Sequence, residues 1–191
     1  AIQVAAACGH VHVLRFLKDD VHLAVDDFKA DDNNAIRFAA ENGHVHVLKF
    51  LKDDVGLTVA DYAIEAAAAC GHVDVLRFLK DDDEVTVADF RSPDNEAIVH
   101  AAECGHVHVL RFLKDEIGLT ADDFRSDNNK AIRLAAVYGH LDVLKFLKDD
   151  VGLTADDFRS DDNYALRRAA DHGNVDVLKF LKDEFGLTID E

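Results

Sequence analysis

One six-residue frame, A-A-x-x-G-H, returns along the whole chain, and this periodicity restricts the possible folds more than any other feature; the last copy has Asn in place of His. Successive copies lie 34, 28, 34, 34 and 34 residues apart, measured between their glycines. These glycines are Gly9, Gly43, Gly71, Gly105, Gly139 and Gly173. A period of this size is typical of stacked repeats, so the sequence predicts copies that bury their apolar faces against one another.

Each copy is predicted to contain two short helices joined at the glycine and a long polar connection to the next copy, which we call a finger. In the copy around Gly139, we expect the first helix to start near Asn129, whose side-chain oxygen would cap free backbone N–H groups. It should end at Gly139 in the left-handed conformation. The alanine pair predicts a side on which neighbouring helices approach closely. The second helix, for example residues 107–114, is apolar on nearly all sides and should be largely buried.

This repeat resembles the ankyrin repeat. The segment A-I-R-x-A-A-x-x-G-H, followed by a helix rich in Val and Leu, is similar to the family's T-P-L-H-x-A-A-x-x-G-H pattern over essentially the whole chain. The resemblance implies an all-α repeat protein, an ankyrin-like α-solenoid of stacked helix-turn-helix units with hairpin or loop fingers. It also implies partner binding along the concave side formed by fingers and first helices, and a turn histidine that hydrogen-bonds locally.

The expected domain organisation is a single ankyrin-like array over residues 1–191. Its predicted repeats are 1–34, 35–62, 63–96, 97–130, 131–164 and the incomplete 165–191. The second repeat is short because six residues are missing between Asp61 and Ala63, which removes the Phe-Arg-Ser-Asp stretch that represents the other fingers. One finger should therefore be absent, leaving either a notch near Tyr62 that accepts a bulky partner side chain or a bend in the array.

The charge balance argues against several classes of partner. The chain carries 38 acidic and 21 basic residues, a net charge of −17. Nucleic acids and anionic membranes attract basic surfaces, so we expect neither as a partner. No apolar run approaches the roughly 18 residues of a membrane-spanning helix. Three cysteines without a CxxC pair fit an intracellular, reducing compartment, which we expect to be the cytoplasm, either of the organism itself or of a host cell.

The residues with chemical potential do not form a convincing catalytic or metal site. His-x-His begins at His10, His44 and His106, but residues two apart on a helix are rotated by roughly 200°, which would point the two imidazoles to opposite sides. The Asp-Asp pairs lack the spacing of a calcium-binding loop. The three cysteines share one column, too far apart for disulfides. We therefore expect no enzymatic activity, no cofactor and no metal.

The exposed side of the first helix differs from copy to copy, whereas the alanine pair and the second helix barely change. Packing requires the same residues on one side of the helix in every copy, whereas the other side is free to vary. We therefore predict that the variable side binds the partner, with aromatic and Arg residues supplying most of the affinity. A basic cluster at its C-terminal end would accept an acidic or phosphorylated segment. The predicted partner-binding residues are Arg37, Phe38, Glu41, Tyr62, Glu65, Cys70, His100, Cys104, Lys130, Arg133, Leu134, Tyr138, Tyr164, Arg167, Arg168 and His172.

The predicted function is a non-enzymatic protein–protein interaction module, a scaffold or adaptor that is expected to be monomeric. Three alternatives stay open. The near-identity of the copies resembles the expanded ankyrin arrays of protists, their large viruses and intracellular pathogens, which favours a host-directed effector. The first copy has no preceding finger and the last stops where another would begin, which favours an architectural spacer in a longer chain. The third alternative is a divalent-metal-binding protein with acidic fingers.

Overall fold

The computed structural model describes residues 1–188, without the side chains of Asp61, Ser92 and Pro93. Every regular element in this part of the chain is helical. The chain divides into two compact units, Ala1–Asp89 and Phe90–Glu191. Each unit contains three helix pairs, and the single array expected over 1–191 stays a prediction.

In the first unit, the first helices of the copies are α1, α3 and α5, which pack side by side in that order. The second helices are α2, α4 and α6, and residues Phe50–Asp54 continue α4 as a π-helix. The bounds are α1 Ile2–Ala7, α2 Val11–Asp19, α3 Val25–Glu41, α4 Val45–Lys49, α5 Ala60–Cys70 and α6 Val73–Lys80.

The one-turn helix α7 (Val87–Phe90) ends where the two units divide. In the second unit, the first helices α8, α11 and α13 pack side by side, and so do the second helices α9, α12 and α14. A further one-turn helix, α10, precedes α11. The bounds are α8 Ser92–Glu103, α9 Val107–Asp115, α10 Ala121–Phe124, α11 Ser126–Tyr138, α12 Leu141–Asp149, α13 Ala155–Asp171 and α14 Val175–Phe185. The predicted all-α repeat fold is confirmed.

The core consists of the alanine pairs and the apolar second helices. Ala135 and Ala136 of α11 are completely buried, and the equivalent pairs are buried in every copy except at Ala170. In α12, Leu144 and Phe146 are also buried. Small side chains let the first helices approach closely, while the larger residues of the second helices fill the space behind them. Both predictions about burial are therefore confirmed.

The fingers that were expected as hairpins or loops contain one turn of helix. In α10, Asp123 Oδ2 accepts a hydrogen bond from the Thr120 backbone N–H at 2.7 Å, so Thr120 and Asp123 form a capping box. Phe124 is completely buried, and its ring lies 6.1 Å from that of Phe146 in the second helix of the next copy. The finger therefore closes over the helix pair that follows it.

A left-handed turn joins the finger to the first helix. Asp127, Asn128 and Asn129 have φ values of 48°, 54° and 56°, and the right-handed helix begins at Lys130. Asp and Asn tolerate this conformation better than other residues with a Cβ, which explains the Asp- and Asn-rich composition here. The expected start near Asn129 is correct, but the expected side-chain cap is wrong: Asn129 Oδ1 is buried and has no hydrogen-bond partner among the described residues.

The connection before α5 is built differently, because it lacks the six residues noted above. No finger helix precedes α5 here, and residues 55–59 lead directly into Ala60, the first residue of that helix. Leu57 and Val59 are 3% exposed, so the short connection still packs against the core. The first helix of this copy thus begins without a left-handed turn.

Candidate partner-binding surface

The sixteen residues predicted to bind a partner lie on the first helices, opposite the alanine pairs; we call them the exposed face. None of the sixteen is buried. The separation follows from helix geometry, because residues such as Leu134 and Tyr138 lie four apart on one side of α11 while Ala135 and Ala136 point to the other. The two units divide the face into two parts.

In the first unit, the exposed face combines two aromatic side chains, Phe38 and Tyr62, with charged neighbours. Arg37 lies 3.6 Å from Glu41, and its guanidinium is 5.5 Å from the centre of the Phe38 ring. Tyr62 begins the exposed side of α5 with 38% of its surface accessible. The remaining predicted residues of this unit are the partly exposed Glu65 and the exposed Cys70.

In the second unit, two guanidinium groups lie close to the ring of Tyr164. Arg133 is 5.3 Å and Arg168 is 5.5 Å from the centre of its ring. A surface depression of about 470 Å³ is lined by Tyr164, Arg167, Arg168, Ala170 and Asp171. Cation–π contacts hold long side chains in place, so this part of the face presents an ordered polar and aromatic surface.

Tyr138 is the most exposed aromatic residue of the predicted set, with 54% of its surface accessible. Its ring stacks on His140 at 6.3 Å. A hydrogen bond to Glu103 raises the pKa of Tyr138 above its ordinary value, so the phenol keeps its proton. The predicted residues His100, Cys104, Leu134 and His172 all remain accessible on the same unit.

The basic cluster of Lys130, Arg133, Arg167 and Arg168 is partly neutralised by nearby aspartates, which were not predicted from the sequence. Its arginines reach the finger acids and the neighbouring helix turn: Arg133 lies 3.5 Å from Asp161 and Arg168 lies 3.2 Å from Asp171. The other pairs are Lys130 with Asp127 at 3.2 Å and Arg167 with the Asp161 carbonyl oxygen at 3.2 Å. An acidic partner would therefore compete with carboxylates already present.

The side chains of His44, His72 and His140 connect consecutive copies. The expected local hydrogen bond is made by the backbone instead, as where the His44 N–H donates to the Ala39 carbonyl oxygen at 2.8 Å. His44 Nε2 donates to the Ala7 carbonyl oxygen at 3.0 Å, and His140 Nε2 donates to that of Glu103 at 2.8 Å. Asn174 serves the same purpose in the last copy, where its side-chain amide donates to the carbonyl oxygens of Ala136 and Val137. Each of these donors reaches the end of the preceding first helix.

These histidines also explain a second requirement for glycine. Gly105 has φ 76°, and a Cβ at this position would lie only 2.7 Å from Nδ1 of His140 in the next copy. The left-handed conformation and the close approach of the imidazole both exclude a side chain. Glycine therefore ends one helix and accommodates the following copy at the same time.

The argument that His-x-His rings point to opposite sides is wrong. The rings of His10 and His12 are 5.7 Å apart, and those of His44 and His46 are also 5.7 Å apart. The first histidine of each pair precedes its helix, as the N-cap residue, so helical rotation does not apply to it. His46 Nε2 bonds the Gly9 carbonyl oxygen at 2.8 Å, which gives the second histidine a role between copies as well.

Other chemistry is weakly represented. Cys8, Cys70 and Cys104 are exposed and form no disulfide. Partial burial, followed by the charge of Glu103, raises the pKa of Cys104, which disfavours a reactive thiolate. In the part of the chain that the structure describes, no three His, Cys, Asp or Glu side chains are grouped as metal ligands. Nor does any helix there have the length and apolarity to cross a membrane.

Sequence reasoning missed a ladder of ion pairs between fingers. Arg91 binds Asp123 through two hydrogen bonds of 2.9 and 3.2 Å, and Arg125 binds Asp157 through bonds of 2.9 and 3.4 Å. In each pair the arginine and the aspartate are 32 residues apart, two fewer than the 34-residue repeat. The sequence contains one indication of these pairs, because Phe-Arg-Ser and Thr-x-x-Asp recur in successive fingers. The two motifs predict an ion pair only if neighbouring fingers are assumed to stack.

The comparisons with known proteins agree with this geometry. The family model described as ankyrin repeats (3 copies) matches residues 64–157. A search of curated proteins finds no match. The matched segment includes helices of both units, and the helix pairs on either side of it repeat the same frame, glycine turn and buried alanines. The chain belongs to the ankyrin repeat family.

Proposed function

We propose that this chain is a non-enzymatic interaction module that binds a protein partner through the exposed face of its first helices. Ankyrin repeats are generally protein–protein interaction modules. The observation that carries the proposal is the exposure of large aromatic side chains, above all Tyr138 and Tyr62, on helices whose opposite side is completely buried. Rigid aromatic residues on a fixed surface bind with little loss of conformational freedom.

The partner's chemistry follows from the second unit. We propose that apolar partner side chains cover Leu134 and Tyr138 and that an acidic or phosphorylated group approaches Arg167 and Arg168. Because Arg168 already pairs with Asp171, a carboxylate gains less there than a doubly charged phosphate does. Affinity should therefore fall as salt concentration rises. The three cysteines form no disulfide, which suits a reducing compartment, and we propose such a compartment as the site of action.

The test is to capture a partner from a cell extract, identify it and measure its affinity for matched variants. Tyr62→Ala, Tyr138→Ala and Arg167→Glu alter the exposed face. Lys145→Ala and Val175→Ala are controls, because both residues are exposed on second helices. We expect at least one aromatic variant to lose about thirtyfold in affinity or more, the range of an interface hot spot. Unchanged affinity in both Tyr62→Ala and Arg167→Glu would contradict the proposal.

A further inference from the structure

The intact fingers show what the aspartate of a finger binds. Asp123 accepts hydrogen bonds from Thr120 of its own finger and from the guanidinium of Arg91, which belongs to the preceding finger. Asp157 is bonded in the same way by Thr154 and Arg125. The side chains of these two aspartates are only 13% and 11% exposed. Each is thus a semi-enclosed carboxylate that receives an arginine.

Asp89 occupies the same position in its own finger but has no such arginine. Its Oδ2 accepts hydrogen bonds from the Thr86 backbone N–H at 2.6 Å and from the Thr86 hydroxyl at 2.7 Å. These two bonds lower the pKa of Asp89, so the carboxylate is ionised at neutral pH. The finger that would supply the arginine is the one that lacks Phe-Arg-Ser, and no described residue takes its place on Asp89.

A cavity of about 70 Å³ lies at this position. It is lined by Lys52, Leu57, Thr58, Val59, Ala60, Asp82, Glu84, Val85 and Asp89. Its single basic side chain, Lys52, is engaged by Asp82 at 2.5 Å. The cavity is about twice the volume of one water molecule in the liquid, enough for a small planar group. Two of its three carboxylates, Glu84 and Asp89, remain to attract a cation.

The missing finger also leaves a phenylalanine of the following second helix without its aromatic neighbour. Where a complete finger precedes a copy, the phenylalanine of that copy's second helix lies against the finger phenylalanine and is 2–9% exposed, as at Phe50, Phe146 and Phe180. Phe78 holds this position in the copy that follows the shortened connection, and it is only half-buried. A ring and a guanidinium, which belong to adjacent residues of an intact finger, are therefore both missing from the shortened connection.

We propose that the shortened connection is an arginine-accepting slot. A partner segment with adjacent aromatic and arginine side chains places its guanidinium on Asp89 and its ring against Phe78, as the missing finger would. The chain's own finger arginines are already used, since Arg91 and Arg125 bind aspartates and Arg159 donates to the Phe185 carbonyl oxygen. The occupant is thus a different protein, and the acidic run at residues 81–84 favours its cationic side chain.

The probe is an N-acetylated, C-amidated peptide, Gly-Phe-Arg-Ser-Gly, titrated into the ¹⁵N-labelled chain and followed by amide chemical shifts. We expect saturable shifts at Thr86 and Asp89, and affinity about tenfold weaker when the peptide Arg is replaced by Ala. Asp89→Asn should weaken binding by a similar factor while its side-chain oxygen still caps Thr86. Asp19→Asn, which alters an exposed acid of the same unit outside the slot, should leave binding unchanged. Equal binding by the Ala peptide, or by Asp89→Asn, would overturn the proposal.

A second variant tests the slot from within the chain. Inserting Phe-Arg-Ser-Asp-Asp-Asn, the sequence of residues 158–163, between Asp61 and Tyr62 restores the 34-residue spacing. The inserted finger should occupy the slot, so peptide shifts at Thr86 and Asp89 should disappear and Tm should rise. Undiminished peptide binding by the folded insertion variant would also overturn the proposal. Neither experiment depends on the exposed face, so the slot and the proposed function can fail separately.

Discussion

The two sides of one repeat differ in how much their sequence varies between copies. On the side that meets the next copy, Ala135, Ala136 and Gly105 have no freedom, because each is completely buried or in close contact with a neighbouring helix or ring. On the side that faces solvent, Leu134 and Tyr138 are replaced by unrelated residues in the other copies. Comparing copies within one chain thus separates residues that hold the array together from residues that are free to recognise something else.

The strongest test of this contrast compares two phenylalanines. Phe124→Ala removes a completely buried finger ring and should lower the free energy of unfolding of its unit by about 3–5 kcal/mol. Phe16→Ala removes a ring that is 56% exposed and should cost below about 1 kcal/mol. Urea unfolding of both variants measures the difference. Similar losses in the two variants would contradict the assignment of finger rings to the buried side.

Two glycines with the same backbone conformation provide the next test. Gly105→Ala places a Cβ against His140 and should cost about 3 kcal/mol, from left-handed strain plus overpacking. Gly152 has φ 81° but nothing within 4 Å of the position of a Cβ, so Gly152→Ala should cost only about 1 kcal/mol. Thermal unfolding monitored by circular dichroism compares them. If both variants lose the same free energy of unfolding, the close approach of His140 to Gly105 does not contribute to the requirement for glycine.

The histidine bond between copies should contribute a smaller amount. His140→Ala removes the hydrogen bond to the Glu103 carbonyl oxygen and should cost about 1–2 kcal/mol. His140→Asn should recover at least half of this loss, because Asn174 makes equivalent bonds in the last copy. Urea unfolding at neutral pH measures both. A loss in His140→Asn as large as in His140→Ala would mean that the imidazole ring acts through packing alone.

The ion pairs between fingers should make stability depend on pH in the acid range. Partial burial raises the pKa of Asp157, but hydrogen bonds from Arg125 and Thr154 outweigh it and leave the pKa below its ordinary value of 3.8. The stabilisation is therefore complete above pH 3.8 and is lost as pH falls through the lower pKa of the folded state. Asp157→Asn should be less stable than the parent by roughly 1 kcal/mol at pH 7 and equally stable at the acid end of this range.

A neighbouring carboxylate is the control for this pH effect. Asp156 is 98% exposed at its side chain, so Asp156→Asn should leave the free energy of unfolding at pH 7 nearly unchanged. Urea unfolding from pH 7 down into the acid range provides both curves. If the Asp157→Asn and parent curves run parallel over the whole range, the pair with Arg125 does not contribute.

The smallest effect is expected on the exposed face. Arg167→Ala removes one exposed side chain and a 3.2 Å hydrogen bond to a carbonyl oxygen, and should change the free energy of unfolding by below about 0.5 kcal/mol. The same variant should weaken partner binding. A large loss of stability would place Arg167 among the residues that hold the array together and remove it from the recognition surface.

The fold was predictable where local signals and periodicity agree. Gly139 in a left-handed C-cap and the buried Ala135–Ala136 pair follow directly from the frame and its repetition. The left-handed run at Asp127–Asn129 was not predictable in detail, since the same residue types also favour helix caps. The acceptors of His44 and His140 were not predictable because they are backbone carbonyls, which have no signature in the sequence.

The candidate site was predictable in part for a similar reason. The accessibility of Tyr62, Tyr138 and Arg167 follows from their helical positions relative to the alanines. The neutralisation of Arg133 by Asp161 was missed because the two residues lie 28 positions apart and meet only when the next finger packs against α11. Which partner binds the exposed face is not encoded in any one of these contacts.

The histidine bonds have a consequence for how such a chain changes over generations. The donating copy must have His or Asn at one position, but the accepting copy offers only main-chain oxygen atoms, which every sequence possesses. Any copy with the glycine can therefore precede any other. Duplication or loss of whole 34-residue segments preserves this junction, so the array can lengthen, shorten or exchange units without inventing new complementary surfaces.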